Sequence, residues 1–212
     1  SFGIRQFSCK ATGDVVADIA YVRWLAENLA PGESAKLDVN GAWRVDEGIR
    51  VLRAAQDLPL WFEQPCQTYE ECRDLRRAVA MPIILDECAD SLSLLIRAYE
   101  DRVLDAVSLK PAKNGGIAHT LAMRDFLSHL GKPMHVQDAA GTDIVNAMIA
   151  HIAHSIAPRR LLYIWDAHNL IETVTATGGP DGSAGRLCAA DRPGLGVTPI
   201  LTVLGEPLAV FE

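Results

Sequence analysis

The sequence contains no apolar run approaching the roughly 18 residues that a membrane-crossing helix needs. Its first residues lack the basic start and apolar core of a secretory signal. It also lacks an excess of positive charge. A net charge of −7 and a pI near 5.4 argue against a broad surface for nucleic acid or an anionic membrane. None of the five cysteines, Cys9, Cys66, Cys72, Cys88 and Cys188, belongs to a CxxC pair, and their number is odd. Neither a disulfide framework nor a zinc knuckle is indicated, and a reducing, cytoplasmic setting fits best. No initiator Met opens the chain, and a natural start is expected upstream of Ser1. Missing too is the Gly-rich phosphate turn after an early strand that a doubly wound nucleotide-binding sheet usually carries.

What is present is an ordinary globular composition, 49% hydrophobic and 22% charged, in a chain long enough for one large domain or two small ones. Short apolar runs alternate with longer amphipathic ones. Strands are expected over 4–9, 36–40, 58–65, 82–87, 106–111, 133–138 and 161–166. Helices are expected between them, the first capped by Asp14. Such alternation implies α/β architecture with a parallel sheet and right-handed crossovers. Chemistry-bearing residues recur at the strand ends, which suits a (β/α) barrel whose site is built at one mouth. A closed barrel needs eight strands and seven are visible, so the first is expected upstream of Ser1.

Three strand ends carry acids: Asp38 in LDVN, Glu63 in FEQP and Asp86 in LDE. Their separations of 25 and 23 residues are each close to one βα unit. A strand-end Asp often caps the next helix, but three acids at matching depth would repel strongly unless a cation sat between them. An all-oxygen set completed by water and substrate is what Mg²⁺ prefers. Glu87 adjoins Asp86, and strand alternation is expected to send it to the other face. Lys10 ends the first visible strand and Lys110 the fifth, so the two are diametrically opposed in an eight-stranded barrel. A lysine base needs its pKa brought from about 10.4 to roughly 7–8, about 4 kcal/mol, which a nearby cation and a partly dry cavity favour. Lys113, three residues beyond Lys110, is expected to face away as a surface group. Gly115-Gly116 permits a tight turn, and its amides are also candidates to receive a substrate carboxylate.

Together KLDVNGAW, LWFEQPCQTYEEC, PIILDE, SLKPAKNGG and PGLGVTP resemble the enolase superfamily, in its mandelate racemase/muconate lactonizing enzyme branch. The resemblance covers essentially the whole chain. It implies a modified TIM barrel, (β/α)7β, that binds Mg²⁺ and removes the proton α to a carboxylate, giving an enediolate. Lysine base plus metal is a recognised pattern of this superfamily. By motif, Asp38, Glu63 and Asp86 correspond to the metal ligands, and Lys10 and Lys110 to the acid/base pair.

EQPCQTYEEC and GTDIVNAMIAHIA look most like enzymes of proline derivatives, such as cis-3-hydroxy-L-proline dehydratases and 4-hydroxyproline betaine 2-epimerases. Dehydration and 2-epimerisation both remain open, as do dipeptide epimerisation, cycloisomerisation and acid-sugar dehydration. So does a barrel without catalysis, in a structural or binding role. Expected substrate contacts are Asp166, Trp165, Asp138, Gln137 and Asn40, with Trp165 offering a cation–π face. His135 and His168 are expected to be packed or solvated. The expected partners are a small carboxylate or amino-acid substrate and, by analogy with relatives, further copies of the chain.

Two departures stand out. Where the family usually reads Lys-x-Lys, this chain reads Ser8-Cys9-Lys10, which removes a positive charge beside the base. The N-terminal α+β capping domain is absent from this sequence, so residues 1–166 read as barrel from its second strand onward. Residues 167–212 then read as a segment packing on the barrel and on that missing cap.

Overall fold

The computed structural model describes residues 3–138, 141–165, 172–180, 182 and 185–210. Seven strands, β1 (Gln6–Lys10), β2 (Ser34–Asp38), β3 (Leu60–Glu63), β4 (Ile83–Leu85), β5 (Ala106–Leu109), β6 (Met134–Val136) and β7 (Leu161–Ile164), lie in sequence order. All six pairings are parallel. Parallel neighbours need long crossovers, and helices supply them. These are α1 (Val15–Asn28), α2 (Val45–Ala54), α3 (Tyr69–Ala78), α4 (Leu92–Glu100), α5 (Pro111–Asn114), α6 (Ile117–His129) and α7 (Asp143–His154). The structure thus bears out the expected strand–helix rhythm and adds α5, a single turn hidden in SLKPAKN.

Local chemistry sets the helix starts. The Asp14 carboxylate accepts from Ala17 N at 2.8 Å, as the sequence led us to expect. At α3, Thr68 and Glu71 form a reciprocal capping box. Thr142 caps α7 through Val145 N. Each helix then buries one stripe. In α3 this is Tyr69, Cys72 and Leu75, and α2 approaches so closely that a Cβ on Gly48 would lie 2.9 Å from Leu75.

One face of the sheet is apolar and packs under the helices, through Ala35, Leu37, Phe62, Ile83, Leu85, Val107, Leu109, Met134 and Val136. Strand alternation puts Ser8, Lys10, Lys36, Asp38, Glu63, Ser108, His135 and Gln137 on the other face. That face is concave. Gln137 follows β6, yet its Nε2 lies 2.7 Å from Glu63 on β3. Three strands apart in a flat sheet would mean about 14 Å. The sheet has curled into most of a barrel, with β1 and β7, among the described residues, each paired on one side only. Between those two edges a cavity of about 1330 Å³, bordered by Ser8, Lys36, His135, Tyr163 and Trp165, opens into the interior.

After β7 a two-residue antiparallel pairing of β8 (Ala176–Thr177) with β9 (Thr198–Pro199) precedes α8 (Leu201–Leu204). Asp143, at the start of α7, binds this segment by accepting from Thr175 N at 2.6 Å and from Thr175 Oγ1 at 2.9 Å. No helix among the described residues is long and apolar enough to cross a membrane.

Candidate active site

The strand register brings the mouth together. Lys10 is the Cα partner of Asp38, and Asp38 that of Glu63, so three chemistry-bearing residues stand side by side at one height. Asp86 follows β4 on the same face. The Lys10 ammonium donates to Asp38 Oδ2 at 2.7 Å and to Asn40 Oδ1 at 2.7 Å. Lys110 Nζ lies 2.5 Å from Asp86 Oδ2. The two lysines therefore flank the carboxylate row from opposite ends.

Lys113 departs from expectation. It belongs to the mouth: its ammonium donates to Asp86 Oδ1 at 2.9 Å, to the Asp86 carbonyl and to Ser108 O at 3.3 Å. The turn of α5 causes this, because it folds residue 113 back over the strand ends rather than letting the chain run on. Burial alone would raise the Asp86 pKa, but the Lys113 and Lys110 charges overcome it and bring the carboxyl below its ordinary value.

Glu87 is a second correction. β4 ends at Leu85, so strand alternation no longer governs residue 87, and Glu87 turns toward the rim. There its Oε1 accepts from Asn40 Nδ2 at 2.8 Å. Asn40 thus joins Glu87 to Lys10 through the two ends of one amide. It can do so because Asn40 and Gly41 both adopt left-handed backbone, with φ of 48° and 74°. A side chain at Gly41 would collide with the Gln67 backbone, so glycine is required at that position.

Glu63 lies deepest of the three acids. Its Oε1 accepts from Ser108 Oγ and from Gln137 Nε2, and faces His135 Nδ1 at 3.3 Å. Its Oε2 is paired with Lys36. The buried His135 is packed, as expected; burial, and then the Lys36 charge, push its pKa well below the usual imidazole value. Lys36 was not singled out in the sequence, although the alternation in Lys36-Leu37-Asp38 puts it on the Asp38 face. It is almost wholly buried, and burial pushes its pKa down to about 8 against the opposing charges of Asp38 and Asp86. Ser8 is its Cα partner on β1, so a lysine from the next strand lies beside the serine that departs from Lys-x-Lys.

Gln137 bridges two acids, reaching Glu63 Oε1 and also Asp86 Oδ2 at 3.2 Å. Asp138 is buried and accepts from Ala112 N at 3.3 Å. Trp165 borders the open cavity and packs on the core. Asp166 and His168 lie outside the described residues. Gly115 and Gly116 make the expected tight turn, with φ of 83° and 99°.

Among the described residues no three His, Cys, Asp or Glu side chains close on one point as a metal cage; each acid is turned to an ammonium group. The donor chemistry nonetheless fits a hard divalent cation. Every candidate ligand atom is a carboxylate oxygen, and a single amide nitrogen of Gln137 spans Glu63 and Asp86 together.

Residues 1–202 match the family described as Enolase C-terminal domain-like. Over 211 residues the chain is 38% identical to the cis-3-hydroxy-L-proline dehydratase of Roseibium aggregatum, covering 99% of this chain and 57% of that protein. A mandelate racemase/muconate lactonizing enzyme from Roseovarius nubinhibens ISM superposes with a TM-score of 0.91 at 41% identity, covering 97% of this chain and 56% of that one. A member of the enolase superfamily from the same organism, solved with magnesium, gives 0.92 at 33% identity, with coverage of 98% and 57%. The chain therefore spans less than two thirds of the length of these relatives.

Proposed function

Because this chain belongs to the Enolase C-terminal domain-like family, we propose that it forms the barrel of a Mg²⁺-dependent enzyme removing the α-proton of a small amino-acid carboxylate. The substrate class is hydroxyproline-like, and the outcome is dehydration or 2-epimerisation. The observation that carries this reading is the placement of Lys10 and Lys110 on opposite flanks of one carboxylate row, on Asp38 and Asp86 respectively. The 38% identity to a cis-3-hydroxy-L-proline dehydratase supports the substrate class.

In this reading Asp38, Glu63 and Asp86 hold the cation. When bound, it supplies positive charge against the negative charge that grows on the substrate carboxylate as the α-proton leaves. The chain does the rest. Four ammonium groups, of Lys10, Lys36, Lys110 and Lys113, meet the carboxylates at the mouth, and the exposed Lys10 ammonium is open to an anionic substrate. One lysine amine takes the α-proton from one face. The other returns a proton to the opposite face in an epimerase, or protonates a departing β-hydroxyl in a dehydratase. Asn40 keeps the Lys10 ammonium on its side of the mouth, and Gln137 keeps Glu63 and Asp86 together.

The test is wash-in of solvent deuterium. The natural gene product, incubated with Mg²⁺ and a panel of prolines and hydroxyprolines in D₂O, is expected to exchange the α-proton of its substrate. NMR follows the loss of signal, and replacing both lysines, Lys10→Met together with Lys110→Met, should abolish it. If no panel member exchanges while the protein binds Mn²⁺, the substrate class is wrong. If Mn²⁺ does not bind at all, the catalytic reading falls.

A further inference from the structure

Gln64 is fully buried, yet no step above uses it. It follows Glu63, its side chain lies on the far side of the strand from the mouth, and its backbone is left-handed, with φ of 38°. That region is unfavourable for a residue with a long side chain and persists only where the surroundings over-determine it. The surroundings do so here. Gln64 Oε1 accepts from Asp86 N at 2.9 Å and from Cys88 N at 3.3 Å. Gln64 Nε2 donates to Cys66 O at 2.9 Å and meets Cys72 Sγ at 3.8 Å. Its main chain is engaged as well: N donates to Ile84 O at 2.9 Å, and O accepts from Gly41 N at 2.8 Å.

One residue thus ties together the chain ends leaving β2, β3 and β4, which carry Asp38, Glu63 and Asp86. The pattern asks for an amide. One end must accept from two N–H groups while the other donates to a carbonyl, and neither a carboxylate nor a thioether does both. A residue needed only to fill the space under α3 would not require this polarity or this backbone.

We propose that Gln64 is the positioning residue of the metal centre. From its place beside Glu63 it holds the Asp86 main chain and so fixes the separation of the two acids. The proposal rests on the reading of Asp38, Glu63 and Asp86 as metal ligands. Partners behind metal ligands typically contribute about 10–100-fold in metal affinity.

Binding of Mn²⁺, read from the free-ion EPR signal, tests it without reference to turnover. Gln64→Met keeps the volume and removes the amide; its Mn²⁺ dissociation constant is expected to rise about 10–100-fold. Leu52→Ala, a fully buried site on α2, is the control: it lowers thermal stability and should leave the Mn²⁺ constant within about twofold. Should Gln64→Met not fold, Gln64→Asn tolerates the left-handed backbone but is one methylene too short to keep both ends engaged, and the same rise is expected. Loss of stability in the Gln64 variants with Mn²⁺ affinity unchanged, or equal weakening in Leu52→Ala, overturns the proposal alone. Absence of Mn²⁺ binding in the parent protein overturns both this proposal and the metal reading beneath it.

Discussion

The ammonium of Lys113 lies 2.9 Å from Asp86 Oδ1, while Lys110 takes the other oxygen of the same carboxylate. The two lysines divide the work on geometric grounds. The Lys113 ammonium donates also to two main-chain carbonyls, which fixes it in place, whereas among the described residues the Lys110 ammonium is held by Asp86 alone. In the proposed reaction Lys110→Met is therefore expected to slow proton transfer on the face that Lys110 serves by about 10²–10⁴-fold, the usual worth of an acid/base group. Lys113→Met breaks a largely buried pair and should cost stability, on the order of 3 kcal/mol by urea unfolding, while retaining measurable exchange. Equal loss of exchange in both variants would show that Lys113 takes part in the proton transfer.

Lys36 and Glu63 make a second, deeper pair. Removing one member of a buried pair leaves an uncompensated charge and costs about 3–5 kcal/mol. Lys36→Met should lose that much stability in metal-free buffer. A divalent cation at Glu63 would restore positive charge, so saturating Mg²⁺ is expected to recover a clear part of the deficit in the urea midpoint. A deficit indifferent to Mg²⁺ would move the cation site away from Glu63.

Asp18 shows how the mouth is braced from outside the barrel. It is fully buried on α1 and accepts from Thr12 N at 2.8 Å, Gly13 N at 3.1 Å and Trp43 Nε1 at 2.9 Å. It thereby ties the loop after Lys10 to the loop after Asp38. Asp18→Ala would strand three N–H donors and release the Thr12 hydroxyl, which also donates to it, at about 1–3 kcal/mol for each stranded group before relaxation. We expect a loss of about 3–5 kcal/mol by thermal or urea unfolding and a weaker Lys10–Asp38 contact. Asp18→Asn, which retains one acceptor oxygen, should fall between the two. Full stability in Asp18→Ala would contradict the role.

The strand-end positions of Asp38, Glu63, Asp86, Lys10 and Lys110 were legible because parallel strands alternate with period two and the βα spacing repeats. Lys113 and Glu87 were misread for one shared reason: alternation was carried past the point where the strand stops. At Lys113 a four-residue helix intervenes, and at Glu87 the strand has already ended. Asp18 is hidden by its neighbours, since an acid within an amphipathic helix reads as solvent-facing until the preceding loop and the distant Trp43 close on it. Lys36 was legible in principle, two residues before Asp38, but a buried lysine contradicts the ordinary preference of that side chain for water.

The last prediction concerns the segment beyond the barrel. Asp143 receives Thr175 N, Thr175 Oγ1 and, at 3.3 Å, Ala176 N. Burial would raise its pKa, but these donors together bring it below the ordinary aspartate value. The folded carboxyl therefore releases its proton more readily than the unfolded one. Its contribution to docking is fully present above the unfolded pKa of about 3.9 and is lost as the pH falls through the lower folded value. Hydrogen-exchange protection at Thr175 and Ala176 should accordingly hold steady from neutral pH to about pH 4 and decline below it. In Asp143→Asn the same amides should be less protected above about pH 4 and converge with the parent protein in acid, with the acid step missing, because nothing at position 143 is left to titrate. If the step persists in Asp143→Asn, another group governs the docking.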